Sequence, residues 1–140
     1  MSILANAKTQ IMVQGITGRE AATFTAESLA YGARIVAGVT PGKGGIQVHG
    51  VPVYDTVAQA VAQHGPDASI ISVPPAFALD AACEALAAGV KLLVIVTERL
   101  PRRDVAVLLA AAQAASARVI GPNSLGVITP GQTRIGMAGG

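Results

Sequence analysis

The chain is poor in several residues that mark particular functional classes. Of its 140 residues one is cysteine, none is tryptophan, and aromatic side chains make up 3%. A single thiol, Cys83, rules out an intrachain disulfide and fits a reducing cytoplasm. His49 and His64 stand apart from each other and from any cysteine or acid cluster, so no metal-ligand spacing is present. Charge is sparse as well: 10 Lys and Arg against 8 Asp and Glu leave +2, and apart from Arg102 and Arg103 the cations are scattered. Without a basic patch or stripe, nucleic acid is not an expected partner. Long hydrophobic runs are missing too, because stretches such as 92–96 have strand length and fall far short of the roughly 20 residues that cross a bilayer. The stretch Met1 to Ala5 is too short for a signal peptide. Neither Ser124 nor Thr97 has an adjacent base, so a hydrolase triad finds no support.

What the chain does have is aliphatic. Its 51% hydrophobic content comes from Ala, Val, Ile and Leu, enough for one domain with a sizeable core of parallel strands under Ala-rich helices. Strand-length apolar runs recur at 10–13, 34–39, 68–73, 92–96 and 118–120, and helical spacing fills 19–30, 56–63, 78–87 and 102–115. This alternation predicts βαβ units and an α/β, doubly wound parallel sheet of Rossmann-like type. Gly32 and Gly89 fall where helices should end, Asp55 and Thr56 where one should be capped, and Pro101 at a first helical turn. His64 is read as a residue capping a helix end, and Cys83 as a small buried hydrophobe. The expected division is a binding domain over 1–122 and a tail over 123–140, rich in turn residues and forming at most a small hairpin.

In an open α/β sheet, ligands bind beyond the carboxyl ends of the strands, so the residues that follow each strand carry the chemistry. After the first comes Gln14-Gly15-Ile16-Thr17-Gly18-Arg19-Glu20-Ala21. Gly15 permits a tight turn, Gly18 lets backbone approach a ligand, and amides from Thr17 to Glu20 would meet a phosphate at a helix N-terminus. A site for NAD expects an acid at the end of the second strand to hold the ribose hydroxyls. None is there. Instead Val39-Thr40-Pro41-Gly42-Lys43-Gly44-Gly45 offers one lysine from a glycine loop, suited to a ribose phosphate. Coenzyme A and NADP both carry one. Val73-Pro74-Pro75 forms a stiff wall or ends its strand, and Val96-Thr97-Glu98 either meets the ligand or caps the next helix. Asn123, in Gly121-Pro122-Asn123-Ser124, holds a turn or a ligand amide.

Taken together, the turn at 14–18, Tyr31-Gly32, the stretch from Gly38 to Gly45, Val96-Thr97-Glu98 and Gly121-Pro122-Asn123 resemble the α subunit of succinate–CoA ligases, also called succinyl-CoA synthetases. The resemblance spans essentially the whole chain, and Val-Thr-Pro-Gly-Lys-Gly-Gly is its most specific part. It implies a CoA-binding N-terminal domain of a tricarboxylic acid cycle ligase. Thr17, Gly18, Arg19 and Glu20 would cradle the CoA phosphates, Lys43 would also contact CoA, and Val96, Thr97 and Glu98 would line the ligand, with Pro74 of the stiff wall expected beside them from its place after the third strand. Two positions depart from the family pattern: Ala21 replaces a glycine, and Pro-Asn-Ser-Leu-Gly replaces Pro-Asn-Cys-Pro-Gly. The resemblance also implies a second domain carrying a phosphorylated histidine and a nucleotide-binding β subunit, both outside this chain. By itself the polypeptide is therefore expected to bind CoA without completing the ligase reaction, and to expose an apolar face where the second domain docks. An NADP-binding oxidoreductase domain and a free-standing CoA-binding module are the alternatives.

Overall fold

A computed structural model describes residues 2–139. Its main sheet has seven strands: β1 (Gln10–Gln14), β2 (Arg34–Val39), β3 (Gln47–Val48), β4 (Val51–Tyr54), β5 (Ala68–Ile71), β6 (Leu92–Ile95) and β7 (Arg118–Ile120). The spatial order is β3-β4-β2-β1-β5-β6-β7, all parallel except the short edge strand β3. Helices α1 (Arg19–Tyr31), α2 (Val57–His64), α3 (Pro75–Ala87) and α4 (Arg102–Ala114) form the crossovers. A separate antiparallel pair, β8 (Gly126–Thr129) and β9 (Thr133–Gly136), completes the chain's described elements. The doubly wound α/β reading therefore holds. No helix among the described residues is long and apolar enough to cross a membrane.

Strand alternation sorts the core into two layers. Ile11 and Val13 face one side and Met12 the other, and all three are fully buried because a parallel sheet is covered on both faces. On the Met12 side, α2, α3 and α4 contribute Val57, Ala82, Leu86 and Leu108. On the Ile11 side only α1 packs, through Ala21 and Phe24, and the β8–β9 hairpin covers the rest with Ile135. Hydrogen bonds fasten this hairpin: Ser28 Oγ donates to the Gly136 carbonyl at 3.3 Å, and Thr129 Oγ1 donates to the Ala5 carbonyl at 2.9 Å. Arg134 pairs with Glu27 at 2.8 Å. The expected small hairpin is thus present, and it shares its core with the segment ahead of it.

Several local expectations need correction. Helix α3 begins at Pro75, not Ala78, with Pro74 as its N-cap. The first helical residue needs no N–H, and the fixed φ of proline suits it, so the Pro-Pro pair starts the helix. Pro101 likewise stands as N-cap, one residue before the first turn of α4. Thr56 caps α2 with a full capping box to Gln59, whereas Asp55 takes no part as a cap. His64 is the last residue of α2; Gly65 is the cap, in the left-handed region at φ 57°, and His64 Nε2 lies 2.8 Å from the Tyr54 hydroxyl. Cys83 is half-buried instead of buried, because it lies beside the α3 face whose Ala82, Ala85 and Leu86 meet the sheet. Strands β3 and β4 add an edge that the apolar runs do not announce, because β3 has only two residues and Pro52 interrupts the apolar residues of β4.

Ile135 has no exposed surface and closes the α1 side of the core, so Ile135→Ala is expected to destabilise the fold by about 2–5 kcal/mol. Urea unfolding at fixed m-value is the check. A loss below about 1 kcal/mol would mean that the hairpin is a loosely held appendage.

Candidate functional site

Strand order reverses between β1 and β5, since the chain leaves β1 for β2 on one side and returns to β5 on the other. Two outgoing turns therefore diverge here and leave a crevice. Gly15 makes the close contact possible. Its φ is +87°, and a Cβ would sit 2.1 Å from the Ser72 carbonyl oxygen at the end of β5. Beyond this contact, Ser72, Val73 and Pro74 form a ridge with a recess on either side. One recess, of about 550 Å³, is lined by Gln14, Thr17, Gly18 and Thr40 from the sheet side and by Phe77 and Glu84 from α3. The other, of about 570 Å³, is lined by Glu20, Val96, Thr97, Glu98, Asn123 and Leu125.

The N-terminus of α1 opens at this crevice. Gly18 is the N-cap and has no side chain to accept from the first turn, and the first helical bond runs from Ala22 N to Gly18 O at 2.8 Å. The N–H groups of Arg19, Glu20 and Ala21 therefore point out of the helix without a partner within it. Gly18 sits at φ −65°, ψ 150°, a conformation open to any residue, and a Cβ would meet only the Gly15 carbonyl at 3.4 Å. The fold therefore has no need of glycine at 18. Its consequence is a set of amides without hydrogen-bond partners at the positive end of a 13-residue helix, with Arg19 and Glu20 exposed and Ala21 buried. By contrast, α2 has a capping box in which Thr56 Oγ1 accepts from Gln59 N, and Val57 N donates to Glu84 Oε1 at 2.9 Å.

The loop after β2 lies beside this helix end, and Thr17 Oγ1 and Thr40 Oγ1 are 3.2 Å apart. Thr40 and Pro41 line the first recess; Lys43 lines neither recess and stands exposed at the loop tip. The loop amides do not face outward. Gly42 N and Gly44 N donate to Asp55 Oδ1, Lys43 N to Thr40 O, and Gly45 N to Val53 O, at 2.8, 2.9, 3.0 and 3.0 Å.

Of the residues expected at the site, Thr17, Gly18 and Pro74 line the first recess, and Glu20, Pro74, Val96, Thr97 and Glu98 the second. Arg19 lies with Glu20 on a shallow cleft over α1. Thr97 neither caps a helix nor offers a free hydroxyl. Its Oγ1 donates to Val73 O at 2.8 Å and accepts from Val73 N at 3.2 Å, which ties the ends of β5 and β6 together. Asn123, at φ 56°, makes a turn and donates its amide to Thr97 O at 2.9 Å. Phe77, 60% exposed at the crevice, has no signal in the sequence, since only a helix starting at the Pro-Pro pair places it there.

The profile of the CoA-binding domain family matches residues 6–99, from ahead of β1 through the end of β6. The chain belongs to the CoA-binding domain family. It is also 45% identical over its whole length to the succinate–CoA ligase [ADP-forming] subunit alpha of Aquifex aeolicus, covering 47% of that protein. Against subunit alpha 2 of the same enzyme from Archaeoglobus fulgidus the identity is 47%, over 98% of this chain and 48% of the relative. The domain thus spans about half the length of these relatives. Its fold is similar to part of the ATP citrate lyase of Methanothrix soehngenii, solved with citrate and coenzyme A, with TM-score 0.83, 23% identity, 96% of this chain and 24% of that one covered.

Removing the Thr97 hydroxyl in Thr97→Val leaves both polar groups of the Val73 peptide without their partner, and is expected to cost about 1–3 kcal/mol. Chemical denaturation measures it; an unchanged midpoint would show that the strand ends are held by other contacts.

Proposed function

We propose that this domain binds coenzyme A across the β1–β5 crevice and serves as the CoA-binding part of the α subunit of a succinate–CoA ligase. The observation that carries the reading is the joining of two anion-attracting groups. The uncapped amides of α1 and the loop of Lys43 are tied together by the Thr17–Thr40 hydroxyl contact at 3.2 Å. A ligand with one phosphate group would need only one of them. Coenzyme A carries a diphosphate and a 3′-phosphate, and fits both. In this arrangement the turn from Thr17 to Glu20, with the N–H groups of Arg19 and Glu20, holds the diphosphate, and the Lys43 ammonium pairs with the 3′-phosphate. The pantetheine arm crosses Pro74 and lies in the second recess along Val96, Thr97 and Glu98. With the Thr97 hydroxyl bound to Val73, residues 96–98 contribute main-chain polar groups, aliphatic surface and the exposed Glu98 carboxylate.

Nothing in the crevice is equipped to activate an acid. Forming a thioester from a carboxylate needs a phosphoryl donor, which this reading assigns to a second domain and a nucleotide-binding β subunit, in the cytoplasm. The absence of an acid at the end of β2 favours CoA over NAD, because Val39 and Thr40 occupy the place where a ribose-binding carboxylate would stand.

Calorimetric titration with CoA, dephospho-CoA, NADP and NAD tests the proposal. CoA is expected to bind at least about tenfold more tightly than dephospho-CoA, a difference of about 1.4 kcal/mol, and Lys43→Ala is expected to abolish the preference. Tight NADP binding with no response to CoA would overturn it. A second variant separates ligand binding from folding. In Gly18→Asp the new carboxylate caps α1 itself, so thermal stability should hold or rise by up to about 1 kcal/mol while CoA affinity falls at least about tenfold. Unchanged CoA affinity in that stable variant would remove the α1 N-terminus from the site.

A further inference from the structure

We propose that Asp55 is the positioning residue for Lys43, holding the 40–45 loop from behind so that the loop meets an anion with the lysine side chain and not with its backbone amides; this rests on the CoA reading above. In sequence, Pro-Gly-Lys-Gly-Gly has the look of a backbone cradle for phosphate. The structure shows the cradle already filled. Asp55, one residue past the end of β4, places Oδ1 2.8 Å from Gly42 N and 2.9 Å from Gly44 N, the amides on either side of Lys43. Gly44 is glycine for this reason, since a Cβ there would lie 2.7 Å from Asp55 Oδ2 and 2.8 Å from its Cγ. The remaining amides, of Lys43 and Gly45, donate to Thr40 O and Val53 O. With every N–H from 42 to 45 turned inward onto the protein, the loop offers a phosphate no main-chain donor there, and its one cation is the Lys43 ammonium.

Asp55 is itself fixed. Its own N–H and that of Thr56 donate to Gln59 Oε1 at 3.2 and 3.3 Å, as part of the box that caps α2. A chain of contacts therefore runs from the start of α2 through Asp55 to the two peptides that flank Lys43. A loop with three glycines in four residues would otherwise have to be ordered when the ligand arrives, and the clamp removes that entropic cost beforehand. The clamp works through the acceptor oxygen and not through the charge. The negative charge opposes an incoming phosphate, so an asparagine that keeps Oδ1 in place should serve at least as well.

The test is a set of titrations with CoA and dephospho-CoA on the wild type and on Asp55→Ala, Asp55→Asn, Lys43→Ala and the Asp55→Ala/Lys43→Ala double variant. Asp55→Ala is expected to weaken CoA binding roughly fivefold and leave dephospho-CoA unchanged. Asp55→Asn should bind CoA as tightly as the wild type or more tightly, and Asp55→Ala should have no further effect once Lys43 is gone. Amide hydrogen exchange of the free protein adds a readout that needs no ligand: Gly42 and Gly44 N–H should be protected in the wild type and in Asp55→Asn, and exchange fast in Asp55→Ala. Equal weakening of CoA and dephospho-CoA by Asp55→Ala, a persistent effect in the double variant, or unprotected Gly42 and Gly44 in the wild type would each overturn the proposal. If wild-type protein does not distinguish CoA from dephospho-CoA, or Lys43→Ala is silent, the assignment of Lys43 to the 3′-phosphate fails instead, and the exchange result alone then reports on the clamp.

Discussion

The structure depends on how closely β1 and β5 can approach where the sheet reverses its winding. Gly15 faces the Ser72 carbonyl at a distance no side chain could tolerate, and its positive φ turns the chain away from the sheet at that point. Everything at the crevice is placed from this contact. It directs α1 so that its first amides open at the strand ends, and it leaves the Ser72-Val73-Pro74 ridge standing between two recesses. The Thr97 hydroxyl then locks the ridge to the neighbouring strand by satisfying both polar groups of the Val73 peptide.

The fate of backbone N–H groups differs between the turns at the crevice. Nearly every buried or half-buried amide in a folded protein has a partner, so turns that leave amides free are informative. At α2 the chain uses Thr56 and Glu84 to satisfy Gln59 N and Val57 N in the first turn. At the Lys43 loop it uses Asp55. At α1 the cap residue is a glycine that the local backbone does not require, and the first turn keeps its donors. Two glycine-bearing turns that look alike as sequence thus do different work: one presents backbone, the other a side chain.

The β8–β9 hairpin has a structural task. With three helices on one face and only α1 on the other, the second face would leave Ile70 and Val94 short of cover, and Ile135 with its neighbours fills that place. The fit is specific. A Cβ on Gly126 would lie 2.0 Å from the Ile135 carbonyl oxygen, so glycine at 126 is what lets β8 and β9 pair this closely. Leu125 and Met137, side by side at the open end of the hairpin, also line the second recess, so this cover of the core is at the same time a wall of the crevice.

The sequence by itself determined the layered α/β architecture, because buried parallel strands must be continuous runs of Val, Ile and Leu, and five such runs separated by helical segments admit few other arrangements. It also determined the family, through the Val-Thr-Pro-Gly-Lys-Gly-Gly stretch and the glycine turn ahead of α1. What it left undecided depended on groups distant in the chain. Thr97 was legible as a polar residue at a strand end, but its partner lies 24 residues earlier and consumes the hydroxyl. Asp55 was legible only as a possible helix cap, because its adjacency to the loop arises from strands β2 and β4 lying side by side. The start of α3 was misplaced by three residues for a local reason, since Pro-Pro breaks a helix everywhere except at its first turn, and only the fold decided which case applied. Local pattern fixes which elements form; which polar groups remain free for a ligand is settled only when tertiary neighbours have taken theirs.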